Sequence, residues 1–268
     1  MKTLALCLFC KNEHQYLKEW LDYHFSIGVE HVFLYDNMSD IPLKKTVIDY
    51  VNKGLVTVER IKDTRQGRHC RTFMKCVIDH GKKFQWIGFT DTDEFIVMKD
   101  GSTDLKEFLK PYEKYAAIGL YWYCFGSNGH KKPTKSQILA YTKRSGDKFH
   151  ANQHIKTIAQ PNYIVQRACS DPHRFYYPKG YFAVDENFKK IPGAKGPRTS
   201  KLIQLNHYVL RSETEFKKKI ERGGGNSGEK GRKGMNFFNS YDNVCNKIED
   251  DILADQWKEK INKKNGTS

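Results

Sequence analysis

Apolar and polar residues along the first 100 positions follow two periods, one typical of strands and one typical of helices. Short apolar runs that end in turn-forming residues predict buried strands, whereas apolar residues three and four positions apart predict amphipathic helices. The strands predicted in this way are residues 3–9, 29–35, 55–60 and 86–90. The predicted helices are one that follows Asn12, its expected N-cap, and two that span 42–51 and 68–80.

Strands that alternate with helices of this length predict an α/β fold with a mainly parallel sheet flanked by helices. The second half is less regular, with strands expected at 116–125, 154–158 and 163–165. No internal repeat and no linker divides the chain, so one domain is expected.

Polar side chains cluster where three of the predicted strands end. In such sheets, ligands bind beyond the carboxyl ends of the strands, because the loops and helix N-termini converge there. The clusters are therefore expected to share one crevice. They comprise Lys11, Asn12 and Glu13, then Asp36 and Asn37, then Asp91, Thr92 and Asp93.

The chain is strongly basic, with 46 Lys+Arg and 31 Asp+Glu among 268 residues and a formal charge of +15. Its 38% hydrophobic content excludes a disordered, collagen-like or coiled-coil protein. Residues 189–233 hold thirteen Lys and Arg against four Glu, so the positive field is local and the partner should be anionic. Within this stretch, Lys217, Lys218 and Lys219 are expected to be solvated, and the glycines of 223–228 to form a mobile loop that closes over the ligand.

The cysteines and the apolar runs of the sequence indicate the cellular compartment in which the protein is expected. Seven scattered cysteines fit a reducing compartment, and no apolar run approaches the roughly 20 residues that cross a bilayer. The N-terminal apolar run lacks a small-residue cleavage site, so we interpret it as a strand. The expected location is the cytoplasm, with possible peripheral contact at an anionic inner membrane face. Cys7 and Cys10 form a Cys-x-x-Cys, but a strand would point them to opposite faces, which disfavours a redox or zinc site.

Asp91 and Asp93 form an Asp-x-Asp directly after a buried strand, with apolar residues on both sides. Two carboxylates on the same side of a partly dry crevice repel each other unless a cation lies between them. Mg²⁺ or Mn²⁺ binds one or two carboxylates and completes its shell with substrate phosphates. The pair therefore predicts a site for a divalent cation and a phosphate-containing ligand.

Several segments resemble, in order along the chain, glycosyltransferases of the family 2 and family 92 type. The resemblance extends to about residue 241. It rests on FCKNE at 9–13, YDNMS at 35–39, FTDTDEF at 89–95, FGSNGH at 125–130, HIKT at 154–157 and NHY at 206–208.

The resemblance implies a GT-A fold, a single Rossmann-like domain over 1–268 that binds a nucleotide-diphosphate sugar, with uridine as the expected base. Its parts would be a nucleotide-sugar-binding half at 1–100, an acceptor-binding half at 101–240 and a C-terminal tail at 241–268. The activity implied is metal-dependent, inverting transfer of the sugar to a glycan or lipid-linked glycan. The residues expected to contact the donor are Cys10, Lys11, Asn12, Glu13, Asp36, Asn37, Asp91 and Thr92.

The resemblance also assigns His207 to the metal beside Asp91 and Asp93, and a neutral imidazole suits a Mn²⁺ shell of oxygen ligands. The catalytic base is expected among the acids that precede His207. These acids are Asp171, Asp185 and Glu186. The last two read Asp-Glu where such enzymes commonly read Glu-Asp, so the base stays unassigned among the three.

Basic and polar residues complete the predicted site. Arg65, Arg68 and Lys156 are candidates to neutralise a diphosphate, although each is also a possible surface charge. Ser127, Asn128 and His130 are candidates to bind acceptor hydroxyls, or to finish a turn. Two alternatives remain open at this point: a basic nucleic-acid-binding protein and a nucleotide-sugar hydrolase.

Overall fold

The computed structural model describes residues 2–165, 171–223, 234–264 and 266. The strands in these ranges are β1 (Lys2–Cys10), β2 (His31–Asp36), β3 (Val56–Arg60), β4 (Phe84–Thr90), β5 (Glu94–Met98), β6 (Ala117–Cys124), β7 (Lys143–Arg144), β8 (Ile155–Ala159), β9 (Ala183–Val184), β10 (Ile203–His207) and β11 (Ile248–Glu249). The helices are α1 (Leu17–Ser26), α2 (Leu43–Thr46), α3 (Ile48–Asn52), α4 (Arg68–His80), α5 (Leu105–Leu109), α6 (Gln137–Ala140), α7 (Glu213–Arg222), α8 (Met235–Cys245) and α9 (Ile252–Lys264).

One sheet organises the fold, with its strands in the order β3-β2-β1-β4-β8-β6-β10-β5 and with β9 paired to β6. The four strands from β3 to β4 are parallel, and β6 is parallel to β10. Two strands run the other way: β8 lies between β4 and β6, and β5 pairs with β10 at the edge. The prediction of an α/β fold with a mainly parallel sheet is confirmed.

The unbroken apolar run of β1 is explained by burial on both faces of the sheet. Leu4, Leu6 and Leu8 pack into one core and Ala5 and Cys7 into another, because successive side chains of a strand alternate between its faces. Cys10 joins the first core, opposite Cys7, as predicted. The six cysteines that the structure describes are all buried.

Three local predictions were wrong. Asn12 does not cap α1; it has φ +59°, and its side chain exchanges hydrogen bonds with Asp40 instead. The stretch 42–51 is not one helix but the two short helices α2 and α3. The stretch 163–165 is not a strand, since Pro161 begins a single 3₁₀ turn there.

The strand polarity brings several functional segments to one edge of the sheet. The carboxyl ends of β1, β2, β4, β6 and β10 lie at this edge together with the start of the antiparallel strand β8. Among the described residues, no helix is both long and apolar enough to span a bilayer. Gly223 follows α7 directly, whereas the rest of the predicted glycine loop lies outside the described residues.

Candidate active site

A cavity of about 770 Å³ opens at this edge of the sheet. Ten of the residues singled out from the sequence line it, which confirms that the polar clusters after the strands share one crevice. They are Cys10, Lys11, Glu13, Asn37, Arg68, Asp91, Thr92, Asp93, Lys156 and His207.

Asp91 is held by two basic side chains. Its Oδ2 lies 2.8 Å from Lys156 Nζ, and its Oδ1 lies 3.3 Å from His69 Nε2. Burial alone would raise the pKa of Asp91, but the charges and hydrogen bonds of Lys156 and His69 together outweigh burial and hold this pKa well below its usual range. The Asp91 backbone N–H donates to Glu94 Oε2 at 2.9 Å. Because Glu94 is fully buried, its pKa rises to about 8 despite the nearby Lys156.

Asp93 pairs with a different lysine. Lys219 Nζ lies 2.8 Å from Asp93 Oδ2, and His207 Nε2 lies 3.8 Å from Oδ1. Burial opposes ionisation, but the charges of Lys219, His207 and Arg211 lower the pKa of Asp93 below its ordinary value. Lys219 was expected to be solvated, and its side chain is 35% exposed, but it also lines the cavity and pairs with Asp93.

Glu13 is clamped between two arginines. Arg211 donates to Oε2 at 2.7 Å and Arg222 to Oε1 at 2.6 Å. Burial would raise the pKa of Glu13, but these two guanidinium groups lower it to about 2. Arg211 also donates to the carbonyl oxygen of Thr92 at 3.1 Å, so it links the loop after β1 to the loop after β4.

The expected metal ligands Asp91, Asp93 and His207 all line the cavity. Within the described ranges, no group of three or more His, Cys, Asp or Glu side chains is arranged to hold a metal ion. Each aspartate instead has a lysine 2.8 Å away. The two carboxylates therefore obtain their neutralising charges from the chain itself, which the sequence argument for a bridging cation did not consider.

An aromatic wall forms another side of the cavity. The Trp122 ring lies 4.2 Å from the His207 ring, 5.0 Å from His154 and 5.1 Å from His173. Nδ1 of His154 lies 3.0 Å from the Ala151 carbonyl oxygen, and Nδ1 of His173 lies 2.9 Å from that of Ile155.

These two contacts fix the tautomer of both imidazoles. A carbonyl only accepts hydrogen bonds, so Nδ1 carries the proton and Nε2 keeps its lone pair. Burial lowers the pKa of His154, and burial together with the Lys156 charge lowers that of His173 to about 4. His173 is therefore neutral at physiological pH.

Three predicted donor-binding residues do not line the cavity. Asp36 is buried, and its oxygens accept the backbone N–H groups of Ser39 and Leu43. Asn12 is bound to Asp40, and the exposed Arg65 pairs with Asp63. Asp36 and Asn12 thus shape the loops around the cavity rather than face it.

The three candidate bases also lie outside the cavity lining. Glu186 accepts a hydrogen bond from Thr199 and from the backbone N–H groups of residues 201, 202 and 203. Asp185 accepts the backbone N–H groups of residues 187 and 189. Asp171 accepts the backbone N–H of His173, so it supports a residue of the aromatic wall.

The predicted acceptor-binding loop packs elsewhere. The backbone N–H of Ser127 donates to Asp242, the Asn128 side chain contacts Thr142, and His130 Nε2 lies 3.1 Å from the Ala140 carbonyl oxygen. Of the two interpretations considered from the sequence, the turn fits these contacts.

The sequence reasoning missed several residues of the cavity wall. A usable signal existed for two of them, because Lys219 and Arg222 are three positions apart on a helix and therefore share a face. No local signal existed for Trp122 or His173, whereas His154 stands in the HIKT segment that carries the family resemblance but was given no role there. The missed side chains are Lys62, Thr64, His69, Trp122, His154, His173, Phe216, Lys219, Ile220, Arg222 and Tyr241.

A mainly parallel α/β sheet with a cation-rich cavity beyond its strand ends defines a class of proteins that bind anionic ligands, such as nucleotides, at that edge. The chain belongs to glycosyltransferase family 92, whose family model matches residues 2–266.

Curated relatives include family 92 proteins of Oryza sativa subsp. japonica, 27% identical over 222 residues, and of Ricinus communis, 26% identical over 229 residues. These matches cover 81% and 82% of this chain but 35% and 37% of the relatives, so the chain spans about a third of their length. Among solved structures, S. aureus TarS 1–349 in complex with UDP-GlcNAc is similar with a TM-score of 0.40 and 17% identity, over 61% of this chain and 46% of that chain.

Proposed function

We propose that the protein is a glycosyltransferase that moves a sugar from a nucleotide-diphosphate sugar, with UDP-sugars as the expected donors, to a glycan or lipid-linked glycan. The observation that carries the proposal is the charge of the cavity in a chain of this family. Among the described residues, six cationic side chains line it, namely Lys11, Lys62, Arg68, Lys156, Lys219 and Arg222. The carboxylates of the same described lining are those of Glu13, Asp91 and Asp93.

This excess of positive charge suits a diphosphate leaving group. In glycosyl transfer, the bond between the anomeric carbon and the diphosphate oxygen breaks while the acceptor oxygen bonds to that carbon. Negative charge develops on the departing nucleoside diphosphate, and fixed cations in a water-poor cavity stabilise it.

The acceptor hydroxyl must lose its proton to a nearby base. The carboxylates in the cavity lining are engaged by lysine or arginine, whereas His154 and His173 each keep a lone pair on Nε2. We therefore place the acceptor against the Trp122 wall, with one of these imidazoles receiving the proton. The expected stereochemical outcome is inversion at the anomeric carbon.

Calorimetric titration with UDP, GDP and uridine, each with Mn²⁺ and with EDTA, tests the donor site. We expect one nucleoside diphosphate to bind at least about 10-fold more tightly than the nucleoside, because the cations of the cavity contact the phosphates. The EDTA arm tests the predicted Mn²⁺ or Mg²⁺ dependence. Absence of binding by both diphosphates would contradict the proposal.

Product analysis separates transfer from hydrolysis. The protein is incubated with the sugar form of the nucleotide that binds, with and without a panel of glycans. A glycosylated product that forms only with acceptor supports transfer. Free sugar released at the same rate in both arms would instead indicate a nucleotide-sugar hydrolase.

A further inference from the structure

The last turn of α7 places two cations against carboxylates of other segments. Lys219 lies 2.8 Å from Asp93, in the loop after β4, and Arg222 lies 2.6 Å from Glu13, in the loop after β1. Both cations line the cavity. One helix turn thus contacts both of the loops that frame the predicted donor site.

The helix that carries these cations is firmly anchored at its other end. Ser212 and Glu215 form a capping box, and Phe216 is almost completely buried. The two cationic side chains are 35% and 25% exposed, against 13% and 12% for their carboxylate partners. An incoming anion therefore meets the cations first.

We propose that Lys219 and Arg222 bind the diphosphate of the donor, and that donor binding replaces their carboxylate partners with phosphate oxygens. The inference rests on the proposed function and assigns the leaving-group contacts within it. Arginine suits bidentate contact with phosphate, and lysine supplies a compact point charge.

After the exchange, each carboxylate still has a positively charged side chain nearby. Glu13 keeps its 2.7 Å contact with Arg211 when Arg222 departs. Asp93 keeps His207, 3.8 Å away, and the charge of Arg211. Breaking a buried ion pair is costly mainly when one partner is left uncompensated, so this arrangement favours the transfer of both cations to a ligand.

The same arrangement implies that the carboxylates compete with the ligand. Asp93 holds Lys219 in the free protein, and part of the affinity for a diphosphate is lost in releasing it. Removing the Asp93 charge should therefore make Lys219 more available, and the contribution of Lys219 to diphosphate binding should grow.

The test is calorimetric titration with the nucleoside diphosphate that binds the wild-type protein and with its nucleoside, in whichever buffer, with Mn²⁺ or with EDTA, supports wild-type binding. Lys219→Met and Arg222→Met should each weaken diphosphate binding by roughly 10-fold to 100-fold and leave nucleoside binding unchanged. Lys218→Met, at an exposed position of the same helix, is the matched control and should bind like wild type. Melting temperatures of all variants report whether the fold is retained.

A double-mutant cycle tests the exchange itself. Lys219→Met should cost more affinity in an Asp93→Asn background than in the wild-type background, because Asp93 no longer competes for the lysine. The assignment would be overturned if the wild-type protein binds the diphosphate and all three variants bind it equally well. These variants are Lys219→Met, Arg222→Met and the Lys218→Met control. A wild-type protein that binds no nucleoside diphosphate would overturn the proposed function first.

Discussion

The ionisation of Glu13 depends on residues about 200 positions away. Arg211 and Arg222 reach it from either end of α7, and neither contact follows from the local sequence around residue 13. The sequence did predict Glu13 and Asp91 at the site, because each follows a strand whose carboxyl end meets this edge of the sheet, and it named Lys156 as a candidate to neutralise a diphosphate.

Replacing Glu13 tests how strongly this clamp stabilises the fold. The pKa of Glu13 falls from an ordinary 4.5 to about 2 on folding, so its ionised form contributes on the order of 3 kcal/mol to the free energy of unfolding at pH 7. Glu13→Gln should lose this contribution. The contribution is present above about pH 4.5 and disappears as the pH falls through 2, so the two proteins should converge in acid.

Urea unfolding at pH 7, 4 and 3 measures the difference. Glu107→Gln is the matched control, because its carboxylate pairs with Lys110 on the surface, where a salt bridge contributes at most about 1 kcal/mol. A constant difference between wild type and Glu13→Gln across this pH range would contradict the assignment of the effect to ionisation.

Residue type alone did not distinguish carboxylates that face the cavity from those that support the backbone. Asp36 and Glu186 looked as suitable as Asp91, yet their oxygens accept backbone N–H groups of neighbouring loops. Which role an acid takes depends on amides brought to it by the fold, so the sequence could not show which acids face the cavity.

At the scale of elements, the helix α4 was predicted well, whereas the antiparallel direction of β5 and β8 was not predicted. The bounds of α4 agree with the predicted 68–80, since its apolar face and its terminal glycine are local signals. The antiparallel placement of β5 and β8 depends on partners at least 34 residues away in sequence, which no local pattern encodes.

The capping box at the start of α7 is expected to stabilise this helix, and a substitution tests that expectation. The Ser212 hydroxyl lies 2.5 Å from Glu215 Oε2 and accepts the Glu215 backbone N–H at 3.4 Å. Ser212→Ala should destabilise the protein by about 1 kcal/mol, or lower its melting temperature by about 2–4 °C. Ser240→Ala, at an exposed position of α8, should change it by less than about 1 °C. Equal melting temperatures of the two variants would show that the cap contributes nothing.

At the scale of the molecule, the reactivity of the cysteine thiols measures how tightly the core is closed to solvent. Cys7, Cys10, Cys70, Cys76, Cys124 and Cys245 are all buried, and burial raises the pKa of Cys7, Cys10 and Cys245. A thiol must be exposed and ionised to react. In a Cys169→Ser variant, which leaves these six, a thiol-reactive dye should label the native protein at least about 1,000-fold more slowly than the denatured chain. Rapid labelling of even one thiol would show that the core is more open than the structure indicates.

The strand order has a further consequence, for the way the chain acquires its structure. Strand β4 completes its pairing only when β8 arrives, and β5 only when β10 arrives more than 100 residues later. A nascent chain that ends near residue 100 therefore presents two apolar strands with open hydrogen-bonding edges, and such edges promote aggregation. Because folding slows as the mean sequence separation of contacts grows, we expect slow folding that benefits from chaperones during synthesis.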